Sequence, residues 1–421
     1  MAAKRISDVV IVSAARTPIG KFGGALKSLT SVELGTIAAK AAIERAGISP
    51  KSVDQAIFGN VLKAGSGQNV ARQIALSSGL DESSCAMTIN EVCGSGLKAI
   101  RLAQSAICMG DAQVVVAGGT ESMSNVPFYA QNVRFGGLRY GNSALVDGLK
   151  KDGLCDAFTG KEMGVTAENV AAKFGITREQ QDAFALKSHQ KAVFAQNNGD
   201  FDAEIAPVQL LDGTVINRDE HPRANTSMEK LSKLKTLFEA DFGRCETGGM
   251  READETREAY SGAKHSPTVT AGNASGINDG AAALVLMSKD YAIAHGIDYL
   301  AEIVGFAEGG ISPDLMGYAP KHVMERMLKN TGYTVENIDL FEINEAFAAQ
   351  SIAVCQQLNI NESKLNIRGG AIALGHPLGA SGARILTTLL YALRDNHMQN
   401  GVAALCVGGG IGVSMQVRMR K

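Results

Sequence analysis

The amino-acid sequence predicts an α/β fold made of two similar halves with a third segment inserted between them. Short apolar runs alternate with helical patterns early in the chain. The same order returns late: Cys93-Gly-Ser-Gly96 opens a helix leading to a strand and Ala117-Gly-Gly-Thr120, and His376-Pro-Leu-Gly-Ala-Ser-Gly382 opens a helix through Leu390 leading to Val407-Gly-Gly-Gly-Ile411. Internal repetition reports architecture, here a pseudo-symmetric pair of sheets. Between the halves, Ser124 to Ser266 has a different texture, with charged helical stretches at Thr166 to Phe174 and Arg178 to Asn197.

Each element has a local reason. Val9 to Ser13 is a short buried strand, and Leu34, Ile37, Ala38 and Ala41 mark a helix that starts after Thr30 or Ser31 and stops at Gly47. Strands follow at Ala56 to Val61, Cys85 to Ile89 and Val114 to Ala117, with helices near Gln68 to Ser78 and Gly96 to Cys108. In the insertion, most charges read as the solvated faces of its helices. Phe242 to Pro267, rich in charge and glycine, is expected to be an exposed, mobile excursion. The second series comprises Glu302 to Ala307, Leu340 to Ile343, Leu365 to Ile367, Ala403 to Val407 and Val413 to Val417.

The 421 residues exceed the usual single-domain length. With 41 Lys and Arg against 43 Asp and Glu, net charge offers nucleic acid no support, and no apolar stretch is long enough to cross a bilayer. Seven cysteines, odd in number, far apart and without a CxxC pair, indicate neither a disulfide framework nor a zinc ribbon. A reducing, cytoplasmic setting fits, since no signal peptide or peroxisomal tripeptide is apparent.

Cys93 stands where an apolar run ends and a helix opens. Unpaired N–H groups and the positive end of the helix dipole would favour its thiolate. A buried structural cysteine is the equal alternative on this feature alone. Cys85, Cys108, Cys155, Cys245 and Cys355 lack comparable contexts and read as structural.

Six segments share one further property. Asn90-Glu-Val-Cys-Gly-Ser-Gly96, Gly118-Gly-Thr-Glu-Ser-Met123, Thr270-Ala-Gly-Asn-Ala-Ser-Gly-Ile-Asn-Asp-Gly280, Asn344-Glu-Ala-Phe347, Gly369-Gly-Ala-Ile-Ala-Leu-Gly-His-Pro-Leu-Gly379 and Leu405-Cys-Val-Gly-Gly-Gly-Ile-Gly412 together resemble the thiolase family, its biosynthetic branch above all. The resemblance implies an α-β-α-β-α layered fold, with one half from residues 1–123 and 267–294, a coenzyme A-binding loop domain at 124–266, and the other half at 295–421. It also implies a homotetramer, to which Phe128 to Asn142 would contribute.

The same resemblance implies the chemistry: reversible Claisen condensation of two acetyl-CoA to acetoacetyl-CoA and CoA, with thioesters as substrates and no metal or organic cofactor. Cys93 would carry the acetyl group, and Cys406 would take the α-proton. His376 and a water on Asn344 would stabilise the enolate, and the backbone N–H groups of Cys93 and Gly408 the tetrahedral intermediate. Met163, Ser275, Met316 and Phe347 would line the pantetheine or acyl pocket, with Arg223 near the nucleotide. Glu162 departs from the family's usual histidine and would sit unfavourably near an anionic ligand. A longer-chain 3-ketoacyl-CoA thiolase and a catalytically silent acyl-CoA or lipid binder are the alternatives.

Overall fold

The computed structural model describes residues 8–131, 133–136, 140–238 and 266–420. In the first half, Val9–Arg16 (β1), Ser31–Arg45 (α1), Gln55–Gly59 (β2), Val70–Ser77 (α2), Cys85–Ile89 (β3), Ser95–Met109 (α3) and Val114–Ser122 (β4) alternate. Asn278–Ser288 (β5) completes that half; the sequence reading did not mark it as a strand. Met163–Phe174 (α4) and Arg178–Asn198 (α5) belong to the insertion. The second half contains Ala301–Gly310 (β6), Ala319–Thr331 (α6), Leu340–Ile343 (β7), Ala348–Leu358 (α7), Ser381–Asp395 (α8), Asn400–Val407 (β8) and Ile411–Met419 (β9). The start of α1 is set by a capping box in which Thr30 Oγ1 accepts from Glu33 N at 3.2 Å and Glu33 Oε2 accepts from Thr30 N at 2.8 Å.

The strand order β7-β8-β9-β6-β1-β5-β4-β2-β3 contains the repeat. From the middle outward, β1-β5-β4-β2 has the same sequence of antiparallel, antiparallel and parallel pairings as β6-β9-β8-β7. The halves are not separate sheets, because β1 and β6 pair antiparallel through Val10↔Glu302 and Ile11↔Ala301. The counterpart of β3 falls at Leu365 to Ile367, where a strand was expected. Only the parallel bridge Phe341↔Leu365 forms there. Asn366 explains the difference: at φ 42° it leaves extended backbone, and its side chain replaces the ladder, accepting from Ile343 N and donating to Ile343 O, each at 2.9 Å.

Burial stacks these elements in five layers. Leu34 and Ala38 of α1 and Ile74 of α2 pack on one face of the first half, and Val323 and Met327 of α6 with Val354 of α7 on one face of the second. Between the two halves of the sheet lies a shared core of Leu97 and Ile100 from α3, Ile385 and Leu389 from α8, and Leu284 and Leu405 from the strands. Ser381 through Leu393 are buried without a break, as a helix covered on all sides requires. The two central helices touch backbone to backbone: a Cβ at Gly382 would lie 2.2 Å from Leu97 N, and one at Gly96 2.7 Å from Ala383 N. Gly382→Ala is therefore expected to cost about 2 kcal/mol or more in thermal unfolding, and an unchanged Tm would show that the crossing can widen freely.

Most charges of α4 and α5 lie exposed or half-buried, as expected, while a few buried polar contacts tie the insertion in. Asp182 of α5 pairs with Arg178 at 2.8 Å and accepts from Asn273 Nδ2 at 2.9 Å, and Ser188 donates to Glu345 at 2.6 Å. Arg16 of β1 meets Glu204 at 2.5 Å and Asp219 at 2.7 Å, all fully buried side chains. Most of the Phe242 to Pro267 excursion lies outside the described residues. Among the described cysteines, Cys85, Cys93, Cys108, Cys355 and Cys406 are in no disulfide, whereas Cys155 is disulfide-bonded, a bridge not anticipated from the spacing.

Candidate active site

The strand β3 ends at Ile89 and α3 begins at Ser95, so five residues must reverse the chain. Val92 adopts φ 45°, a strained conformation for a β-branched residue. Ser95 holds the turn: its Oγ accepts from Glu91 N at 2.8 Å and donates to Val92 O at 2.7 Å. Cys93 sits at the apex with 8% exposure. The N–H groups of Gly408 and of Cys93 itself donate toward its sulfur, yet burial dominates and pushes the thiol up to about 11. The helix-start argument expected N–H groups of the opening helix to favour the thiolate; one donor, Gly408, comes instead from the second half, and desolvation outweighs both.

The second half supplies the facing groups. Gly375, at φ 112°, leaves no room for a Cβ, which would lie 2.4 Å from the Asn278 side chain. That contact lets Asn278 Oδ1 accept from His376 N at 3.0 Å and Asn278 Nδ2 donate to Gly20 O at 2.9 Å. The imidazole of His376 is buried and held neutral, lowered to about 3 by desolvation with Arg384 adding to it. Its Nδ1 lies 2.6 Å from Ser381 Oγ and 3.4 Å from Asn344 Nδ2, while Nε2 has no hydrogen-bond partner. Asn344 follows β7 and is fixed by its backbone, donating to Ala404 O at 2.9 Å and accepting from Gln350 Nε2 at 3.1 Å. Cys406, near the end of β8, shares an apolar cluster with Met316, Ala346, Met163 and Phe347. Burial pushes its thiol far above the ordinary range, and the proximity of Cys93 pushes it further.

These groups meet at a cavity of about 790 Å³. Cys93, His376 and Gly408 line it, as do Met163, Arg223, Ser275, Met316 and Phe347. Asn344 and Cys406 stand behind its wall, fully buried. The segment carrying Ser275 is pinned against the one carrying Phe347, through Ser275 N to Ala346 O and Ala348 N to Asn273 O, both at 2.9 Å. Glu162 also lines the cavity, but its carboxylate is paired with Lys150 at 2.6 Å, so the acidic departure is offset by a neighbouring cation. Among the described residues no cluster of His, Cys, Asp or Glu could hold a metal ion, and no helix is long and apolar enough to cross a membrane.

Family models for the thiolase N-terminal domain match residues 9–254 and 252–290, and the model for the thiolase C-terminal domain matches residues 297–419. The chain belongs to the thiolase family. An acetyl-CoA acetyltransferase of Cupriavidus necator is 47% identical over 419 residues, covering 99% of this chain and 100% of that protein. A probable acetyl-CoA acyltransferase of Staphylococcus aureus (strain COL) is 46% identical over 420 residues with the same coverage. Two solved thiolase-family structures, each 39% identical, superpose closely. The Bacillus anthracis acetyl-CoA acetyltransferase has a TM-score of 0.91 over 99% of this chain and 100% of that one. Human mitochondrial 3-ketoacyl-CoA thiolase in complex with CoA has a TM-score of 0.90 over 99% and 98%.

Within this thiolase-family site, three supporting residues went unassigned in the sequence although each lies inside a quoted motif. Asn278 holds the His376 backbone. Ser381 contacts the imidazole. Glu121, fully buried and pushed up to about 7 by desolvation, gathers Val61 N at 3.0 Å, Leu62 N at 3.1 Å, Gly379 N at 2.9 Å and Asn60 Nδ2 at 2.7 Å. It ties the loop after β2 to the turn that follows His376. A polar residue inside a glycine-rich motif was the available signal.

The raised Cys93 thiol predicts a steep pH dependence. Because the neutral form persists to about 11, the thiolate fraction at neutral pH is small and grows with pH. Iodoacetamide labelling of Cys93 should then accelerate roughly tenfold per pH unit between about pH 7 and pH 10, following the thiolate. A plateau already reached near neutrality would mean that the free enzyme stores the thiolate.

Proposed function

We propose that this chain is an acetyl-CoA C-acetyltransferase that condenses two acetyl-CoA to acetoacetyl-CoA and CoA through an acetyl-cysteine, and runs the reverse thiolysis. One observation carries the reading: Cys93, Gly408 and His376, whose Nε2 is unpartnered, all line one cavity, with the Cys406 thiol close enough to sense charge on Cys93.

A thiol raised to about 11 needs a base at the moment of attack, and a neutral imidazole with a free nitrogen is a suitable one. The Cys93 sulfur attacks the thioester carbonyl while His376 takes its proton on Nε2 and keeps it; the CoA sulfur leaves as a thiolate, which then takes the proton of Cys406. Backbone N–H groups of Cys93 and Gly408 stabilise the developing oxyanion, each such donor being worth about 2.7–4 kcal/mol in the barrier. Acylation leaves Cys93 no charge with which to oppose a Cys406 thiolate, so Cys406 becomes the base only after the acyl group is in place. The α-proton of the second acetyl-CoA then passes to Cys406. His376, with Asn344 beside it, stabilises the enolate that attacks the acyl-enzyme. No step calls for a metal or an organic cofactor.

Met316, Ala346, Met163 and Phe347 crowd around Cys406, which favours a short acyl chain. Cations at Lys21, Lys151 and Arg223 line the same cavity and suit an anionic nucleotide. The resemblance to a 3-ketoacyl-CoA thiolase supports a second reading, one with longer acyl chains. Two measurements test the proposal. Acetyl-CoA labelling followed by peptide mass spectrometry should place acetyl on the Cys93 peptide, and any other location overturns it. Thiolysis of acetoacetyl-CoA should exceed that of a long-chain 3-ketoacyl-CoA, and the opposite preference selects the second reading. Assembly as a cytoplasmic homotetramer completes the proposal and is checked by sedimentation.

A further inference from the structure

We infer that Ser381 is a positioning residue that holds the ring of His376 in the tautomer with its proton on Nδ1, leaving the Nε2 lone pair aimed at the cavity. The inference rests on the functional reading above for its purpose and on separate geometry for its content.

Neutral imidazole has one N–H, and the group bonded to one ring nitrogen decides what the other can do. Ser381 Oγ lies 2.6 Å from Nδ1 and 2.8 Å from Pro377 O. A hydroxyl has one hydrogen to give. Pro377 O can only accept, so when Ser381 donates there, its oxygen lone pairs are left for an N–H on Nδ1. Pro377 O also accepts from Ala380 N at 3.0 Å and Ser381 N at 2.9 Å, which marks it as a concentration of negative potential that draws the hydroxyl hydrogen. This four-residue back-bond is the ordinary habit of serine at a helix start. Asn344 Nδ2, at 3.4 Å from the same Nδ1, is the only rival donor to it among these contacts and is the longer by far. The hydroxyl, Pro377 and His376 sit within six residues of sequence and are buried, so no exposed side chain competes.

The chemistry then balances. The Cys93 S–H bond breaks and its proton goes to Nε2; the Cys93 sulfur bonds to the thioester carbon. The bond from that carbon to the CoA sulfur breaks, and that sulfur leaves as a thiolate that takes the Cys406 proton. Condensation returns the Nε2 proton to the Cys93 sulfur, so His376 finishes as it began, with hydrogen on Nδ1, and Ser381 has donated to Pro377 O throughout. With the proton instead on Nε2, the imidazole could not accept from Cys93.

Nitrogen NMR of the full-length protein labelled at histidine reads the tautomer directly, with the His376 signals identified by their loss in His376→Asn. A pyridine-type Nε2 is expected, and a pyrrole-type Nε2 overturns the inference. Ser381→Ala should lower kcat about 10- to 100-fold, the usual cost of losing an outer partner of a functional histidine, and blur the tautomer signature. KM should change less than about twofold. Ser381→Thr, which keeps the hydroxyl, should restore both. A Ser381→Ala enzyme with unchanged kcat and spectrum overturns the inference, and if the threonine variant does not fold, the parent spectrum still decides. Acetyl found away from Cys93 would sink the functional reading but leave the tautomer measurement standing.

Discussion

Cys93→Ser is expected to lose at least about 10⁴ of turnover in both directions while remaining folded, the scale on which removing an enzyme's nucleophile acts. The hydroxyl fills nearly the same space at the apex of the turn, so Val92 and Ser95 can keep their hydrogen bonds. What fails is reactivity, because a serine hydroxyl is far more reluctant than a thiol to surrender its proton to His376. Incubation with acetyl-CoA should leave no stable acetyl on the variant. Near-parent activity would mean that the acyl group travels by another residue, and the assignment of the cavity would have to change.

Cys406→Ser is expected to separate the two halves of the reaction. Cys93, Gly408 and His376 remain, so acetyl-CoA should still acylate Cys93 and release CoA, whereas condensation should fall by about 10²–10⁴, the range for a lost general base. Mass spectrometry of the acyl-enzyme and a coupled assay for acetoacetyl-CoA measure the two steps independently. A variant that neither acylates nor condenses would place Cys406 in the first step as well. One that does both would remove it from the chemistry.

Much of this site was legible in the chain because its parts are local. Cys85–Ile89 and Leu340–Ile343 form the strands expected from their apolar runs, and Cys93, His376 and Gly408 come to one cavity from turns that glycine marks. The sequence could not show what reaches those turns from far away. Asn278 binds the His376 backbone across 98 residues, and Glu121 binds Gly379 across 258. Such partners are chosen by tertiary placement, and no periodicity encodes them. The sign of the Cys93 shift was hidden for the same reason, since helix-end donors can be read locally but burial depends on every element packed around them. Asn366 shows the limit at the level of a strand: Leu365 to Ile367 has the composition of one, and a single side-chain amide takes over its pairing.

The matching strand orders of the two halves carry a stoichiometric consequence. A duplicated design would ordinarily offer two equivalent reaction centres, one for each copy. Here the turn before α3 and the turn before α8 face a common space, one bringing a thiol and the other an imidazole, so both copies are consumed in building a single centre. Each chain can then hold one acyl group at a time, and neither half by itself carries the full set of groups that the proposed reaction needs.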